Sequence, residues 1–224
     1  MKTLYIFLTR SGTLLSNLVY SLTGAQYTHV SLAFDEDLST LYSSTRKNGY
    51  TMFPAGPSRE YLNRGVFLMR ENIPCALYAL EVTDEAYTRA KRRTQHMMHH
   101  GELYRFNSLG LLLCWMHIRW QRRRHYFCSQ FVSEVLQKSG ALELPKPSTL
   151  MHPSDYAELP ELRCLYRPAP APEHGAGRGG ERHGPLSECS SGGREGQSAS
   201  AVLIFFEIFA EKLKMPVDKA GTLC

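Results

Sequence analysis

The sequence lacks both closely paired cysteines and apolar segments long enough to cross a bilayer. Its six cysteines are scattered and form no C-x-x-C pair, which argues against a zinc ribbon and against a small disulfide scaffold. The longest apolar stretches, LGLLLCWMHI from Leu109 and AVLIFFEIFA from Ala201, fall well short of the roughly 20 residues that a spanning helix needs. We therefore predict reduced thiols, no metal site, no cofactor and no membrane span.

A signal peptide and a nucleic-acid motif are also missing. The N-terminal MKTLYIFLTRSG has one lysine and a short apolar run ended by Thr9 and Arg10, unlike a signal peptide, so we expect a cytoplasmic location. The net charge of +5 comes largely from two basic clusters, AKRR ending at Arg93 and RWQRRRH ending at His125. Such runs are more often solvated faces than nucleic-acid sites, and nucleic acid is not an expected partner.

Composition divides the 224 residues into three segments. Residues 1–166 carry strand-like and helix-like patterns with enough apolar material for one core. Residues 167–200 are rich in Pro, Gly and Ser and have little to bury, which predicts a disordered linker. Residues 201–224 form a tail that opens with a short amphipathic helix candidate. Its residues 201–214 are predicted to dock on the main domain, to stay frayed, or to make weak contact with a membrane surface.

Strands and helices follow one another in mixed order within residues 1–166. Thr83 and Gly140 have the residue types that start and stop helices, as do Ser11 and Gly24 around SGTLLSNLVYSLTG. Hairpins outnumber strand-helix alternations, which favours an α+β domain with an antiparallel sheet packed against helices. The predicted strands are TLYIFLT, THVSLAF, STLYSST, GVFLMRE and CALYALEV, and the further helices are TDEAYTRAKRRTQHMMHH, NSLGLLLCWMH and the segment from Cys128 to Gly140.

One cysteine, Cys128, stands where a polar segment turns into an amphipathic helix, in RRRHYFCSQFVSEVLQKSG. A helix N-terminus favours a thiolate over a thiol, because the backbone dipole and the free N–H groups stabilise negative charge. Tyr126 and Phe127 precede the cysteine where a capping residue would stand, so the first-turn N–H groups are available to an oxyanion. Cys128 is the candidate nucleophile.

A nucleophilic thiol needs a base, and His29 is the leading candidate among nine histidines. It shares a strand face with Ser31 and Ala33, whose small side chains would let the Cys128 helix approach closely. His152 ranks second because it precedes a proline at a helix start. The other competitors are predicted to be solvated or to lie too near Cys128 in sequence: His96, His99, His100 and His125.

THVSLAFD, followed much later by FCSQFVSEVL, resembles the permuted members of the papain-like, NlpC-type cysteine hydrolase superfamily, most nearly its small bacterial members. Ordinary members have the cysteine helix first, whereas permuted members have the histidine strand first, as here. The resemblance covers residues 1–166. It implies a permuted papain-like fold, a thiolate at Cys128, a general base at His29, and an acyl-thioenzyme formed on an amide, ester or thioester.

The third residue of such sites orients the imidazole and usually lies on the strand after the histidine. If DEDL forms a four-residue hairpin loop, Ser44 faces His29, and a loop longer or shorter by one residue places Ser43 or Thr45 there instead. Glu60, in the predicted loop PSREYL, is an alternative. The expected oxyanion donors are the Cys128 backbone N–H and a group in TRSGT.

The sequence therefore predicts a cysteine hydrolase or acyltransferase that acts on amide or ester bonds. The first expected reaction is cleavage of amide bonds in cell-wall peptides, and the second is lipid acyl transfer or thioester cleavage. Both stay open because fold likeness alone does not choose a substrate. A catalytically silent binding module on the same scaffold is the alternative of a different class. Such a module would hold an anionic partner through four arginines: Arg119, Arg122, Arg123 and Arg124.

Overall fold

The computed structural model describes residues 1–10, 20, 24–46, 55–63 and 73–167. Met1–Tyr20 and Ala25–Pro170 belong to one compact unit. The tail, nearly all of the predicted linker, the strand GVFLMRE and most of the helix SGTLLSNLVYSLTG lie outside the described residues. The described strands are Lys2–Thr9 (β1), His29–Ala33 (β2), Leu41–Arg46 (β3), Ala55–Glu60 (β4), Cys75–Val82 (β5), Arg105–Phe106 (β6), His125–Tyr126 (β7) and Arg163–Tyr166 (β8). The described α-helices are Asp84–His99 (α1), Ser108–Trp115 (α2) and Cys128–Ser139 (α3).

Six of the strands form one antiparallel sheet in the order β4-β3-β2-β1-β5-β8. The central strand β1 pairs with β2 from Tyr5↔Ala33 to Thr9↔His29 and with β5 on its other side. The predicted α+β class, with an antiparallel sheet packed against helices, is therefore confirmed. None of the described helices is long and apolar enough to cross a membrane.

The two remaining strands form a separate short pair that runs parallel. β6 and β7 align Arg105 with His125 and Phe106 with Tyr126. Between them the chain makes an excursion through α2 and a loop of residues 116–124. Because β7 ends two residues before Cys128, this pair fixes the approach of the chain to α3.

The helix ends follow the capping residues of the sequence. The Thr83 side chain accepts the Ala86 N–H at 3.2 Å, which confirms the predicted start of α1. The residue before α3, Phe127, makes no side-chain capping bond, as predicted. Gly140 ends α3 with φ +72°, a left-handed conformation that glycine adopts without steric cost.

Helix α3 packs on the sheet face that carries Val30 and Leu32, where it buries Phe131 and Val132 completely. The prediction that α3 would approach the face of Ser31 and Ala33 is wrong, since Ala33 contributes to a small cluster on the opposite face. The physical reason is the size of the apolar area that each face offers. Burial of large aliphatic side chains outweighs the easier approach to small ones.

The segment predicted as a loop around PSREYL contains strand β4 at one edge of the sheet. It pairs with β3 from Leu41↔Glu60 to Arg46↔Ala55. Gly56 and Pro57 have turn-forming residue types, which concealed the strand. An edge strand tolerates a proline because one side of its backbone needs no ladder hydrogen bonds.

Candidate active site

Two elements begin at the candidate site residues. His29 is the first residue of β2, Cys128 is the first residue of α3, and the thiol lies near enough to the imidazole ring to raise its pKa. Cys128 is buried, and the His29 side chain is 15% exposed. The structure thus brings together the thiol and the imidazole that the sequence singled out, although they stand about a hundred residues apart in the chain.

Glu60 contacts the Nε2 edge of the His29 ring. Its two carboxylate oxygens lie 3.1 and 3.0 Å from His29 Nε2, and the Ser31 hydroxyl donates to Glu60 Oε2 at 2.6 Å. Ser31 Oγ is itself 3.2 Å from Nε2. Because these groups occupy Nε2, we infer that Nδ1 is the ring nitrogen available to Cys128.

Ser44 does not face His29. β2 and β3 pair through Leu32↔Tyr42, one residue away from the predicted register, because the connecting loop is one residue longer than DEDL. The Ser44 hydroxyl instead donates to the Tyr126 carbonyl at 2.6 Å. The same register continued along the strands would place Thr45, one of the predicted alternatives, opposite His29.

The surroundings of His29 favour its protonated form. Burial acts most strongly and lowers the pKa of the ring, but the Glu60 charge and the hydrogen bonds with Cys128 and Glu60 outweigh it. The pKa of His29 therefore lies well above its ordinary value. An imidazolium that contacts a carboxylate and lies near a thiol is able to protonate a leaving group.

The start of α3 offers backbone donors beside the thiol. Phe127 supplies no side-chain cap, and the Ser129 hydroxyl is engaged elsewhere because it donates to the Met151 carbonyl at 2.6 Å. Most of TRSGT lies outside the described residues, but Thr9, its first residue, is the cross-strand neighbour of His29. The buried Thr9 Oγ1 has no hydrogen-bond partner among the described residues.

A buried polar network anchors the first turns of α3. Tyr156 OH donates to the Ser129 carbonyl at 3.0 Å and lies 2.7 Å from the Ser133 hydroxyl. Asn107 Nδ2 donates to the fully buried Gln130 Oε1 at 3.1 Å. These contacts join distant segments of the chain, so no local sequence pattern reveals them, and they restrict where Cys128 can lie.

His152, the second candidate base, contacts a different cysteine, Cys114. Its Nε2 lies 3.7 Å from the Sγ of Cys114, and burial lowers the pKa of the ring. Burial also raises the pKa of Cys114 to about 12, which keeps that thiol protonated near neutral pH. His96 and His100 stack with ring centroids 4.3 Å apart, and no group of metal-ligating side chains occurs among the described residues.

Comparison with known proteins found no matching family model, no similar curated protein and no similar solved structure. Any functional assignment therefore depends on the chemistry of the residues around Cys128.

Proposed function

We propose that this protein is a cysteine hydrolase or acyltransferase of the permuted papain-like type. Cys128 is the nucleophile, His29 the general base and acid, and Glu60 the residue that orients the imidazole. One observation carries the proposal: both oxygens of the Glu60 carboxylate lie within 3.1 Å of His29 Nε2, and the Cys128 thiol is near enough to the same ring to raise its pKa. Catalysis by a thiol nucleophile requires these three groups: the thiol, an imidazole that exchanges protons with it, and a group that orients the imidazole.

The first chemical step forms a bond between Cys128 Sγ and the carbonyl carbon of an amide or ester. Because the surroundings of His29 favour its protonated form, the thiol proton resides on the ring before the attack, and the negative charge of the thiolate moves onto the substrate oxygen, which the first-turn N–H groups of α3 would stabilise. The bond to the leaving group then breaks, and His29 returns the proton to that group. Water or an acceptor alcohol or amine, deprotonated by His29, cleaves the thioester and frees the thiol.

Glu60 replaces Ser44 in this proposal. A carboxylate stabilises the imidazolium that forms during both steps, whereas a hydroxyl orients the ring but contributes no charge. The Ser31 hydroxyl supports the arrangement because it fixes one oxygen of Glu60 at 2.6 Å.

Selective alkylation tests the proposal. Iodoacetamide at neutral pH should modify Cys128 faster than the other cysteines, as measured by peptide mass spectrometry, and His29→Ala should slow the reaction at Cys128 by about a hundredfold. The matched control is His96→Ala on α1, which should leave the rate unchanged. Equal rates at the buried Cys114 and at Cys128, or no effect of His29→Ala in a folded variant, would refute it.

The same chemistry cleaves amide bonds of cell-wall peptides and acyl groups of lipids. The observation that favours lipids is the loop of residues 116–124 directly before β7, which exposes both arginines and apolar side chains. Incubation with peptidoglycan fragments and with phospholipid vesicles, followed by mass spectrometry of the products, separates the two. A silent binding module would keep its function in Cys128→Ser, whereas an enzyme would lose its products in that variant.

A further inference from the structure

The loop of residues 116–124, here called the basic loop, presents unpaired positive charge and ends four residues before Cys128 in the chain. All four of its arginines are exposed, and none forms an ion pair with a carboxylate in the part of the chain that the structure describes. Four cations in six residues repel one another, so a nearby anionic surface would stabilise them. The arginines are Arg119, Arg122, Arg123 and Arg124.

The same loop exposes aliphatic side chains. Met116 is 40% exposed and Ile118 is 46% exposed, and Trp120 is partly buried between the arginines. Large apolar side chains alternating with arginines are typical of segments that lie in a lipid interface, where the arginines contact headgroup phosphates and the apolar groups enter the acyl boundary. A nucleic-acid backbone would satisfy the charges but would leave Met116 and Ile118 in water.

The position of the loop connects it to the thiol. Arg124 has φ +59° and its carbonyl accepts the Arg105 N–H at 2.9 Å, so the β6–β7 pair fixes the end of the loop. From Arg124 the chain reaches Cys128 through β7 and Phe127. Four residues span at most about 14 Å, so a surface that binds the end of the loop would lie within about that distance of Cys128.

We propose that the basic loop docks on an anionic lipid bilayer and presents Cys128 to substrates at that interface. Docking itself does not depend on catalysis. The substrate class, an acyl group at the membrane surface, rests on the proposed function of Cys128.

Vesicle co-sedimentation tests docking with the full chain. Phosphatidylcholine vesicles containing phosphatidylglycerol should bind the protein, and vesicles of phosphatidylcholine alone should bind it far more weakly. Replacement of the four loop arginines by glutamine should lower the partition coefficient by about a hundredfold or more. Met116→Ser with Ile118→Ser should also weaken it. The matched control replaces four exposed cations elsewhere by glutamine and has the same net charge: Arg59, Arg92, Lys138 and Arg163.

Tryptophan fluorescence distinguishes the basic loop from the C-terminal tail. The chain has two tryptophans, Trp115 and Trp120, and both lie in or directly beside the loop. Docking should shift their emission to shorter wavelength when anionic vesicles are added, and the arginine variant should lose the shift. Vesicle binding without a shift, or equal weakening by the two sets of four substitutions, would overturn the proposal.

Two further arms separate this proposal from the catalytic one and from a nucleic-acid partner. Cys128→Ala should bind vesicles as the unchanged chain does, so a failure of catalysis leaves docking standing. We expect the loop variants to lose vesicle binding while Cys128 is alkylated at an unchanged rate, which would show that membrane docking and thiol reactivity are separate properties. Tighter binding to a single-stranded oligonucleotide than to anionic vesicles would overturn the lipid assignment.

Discussion

The carboxylate of Glu60 lies within 3.1 Å of one ring nitrogen of His29, and this contact determines how the imidazole titrates. Its negative charge is the strongest of the influences that raise the His29 pKa against burial. At the scale of single residues, a helix start marked Cys128 in the sequence, and a small-residue strand face marked His29, although α3 packs on the other face of that strand. No local sequence pattern singled out Glu60 in this way, since its partners Ser31 and His29 are distant in the chain and its own strand is not apolar.

Glu60→Gln should lower the pKa of His29, because the amide keeps a hydrogen-bonding group but removes the negative charge. NMR titration of the His29 ring, assigned by comparison with His29→Gln, measures the change. Ser44→Ala should leave the titration unchanged, since the Ser44 hydroxyl donates to Tyr126. A shift with Ser44→Ala but none with Glu60→Gln would restore Ser44 as the orienting residue.

The raised pKa of His29 also predicts how stability depends on pH. A group whose pKa is higher in the folded than in the unfolded chain stabilises the fold fully below its unfolded pKa, about 6.5 for histidine. This contribution should disappear as pH rises through the folded pKa, which lies well above that value. Urea unfolding across neutral and mildly alkaline pH should show the decline. His29→Asn should abolish this part of it, and an unchanged pH dependence in that variant would contradict the assignment.

At the scale of elements, α3 was predictable from its apolar spacing and its glycine stop, whereas β4 was not. The periodicity of α3 reflects one buried stripe, and Gly140 ends it in the left-handed region. β4 contains Gly56 and Pro57, so its residue types indicate a turn. Only its pairing with β3 makes it a strand, and that pairing depends on residues elsewhere in the chain.

Gly140→Ala should destabilise the protein by about 1 kcal/mol, because an L side chain in the left-handed conformation costs about that much. Urea unfolding measures the loss, and Gly140→Asn should lose less because asparagine tolerates this conformation better. Alkylation of Cys128 at the other end of α3 should be unchanged in both variants. Equal stability of the alanine variant and the unchanged chain would show that the helix end rearranges.

At the scale of the whole molecule, the α+β class was predictable from the succession of hairpins, but the packing of α3 on the sheet was not. Strand alternation shows two faces and does not say which face a given helix covers. The apolar area of Val30 and Leu32 decided between them. The register of β2 and β3 likewise depended on one extra loop residue, which the sequence of DEDL does not disclose.

The extent of the sheet predicts where the chain can be shortened. A chain of residues 1–170 keeps β8 paired with β5 and should retain both its unfolding free energy and the selective alkylation of Cys128. A chain of residues 1–162 loses the β8 ladder and should be destabilised by about 2 kcal/mol, because several hydrogen bonds are removed and β5 becomes an edge. Urea unfolding of both chains measures the difference. Equal destabilisation of the two would mean that residues after 170 contribute to the fold.

The parallel pairing of β6 with β7 has a consequence for the evolution and engineering of this chain. Phe106 and Tyr126 are neighbours across the pair, so the segment between them leaves the scaffold and returns to it at nearly the same point. A transplanted segment that keeps Asn107 bonded to Gln130 and changes only residues 116–124 would change what the protein recognises without moving the sulfur. Relatives of this chain are therefore expected to diverge most in that excursion, and specificity is most readily redesigned there.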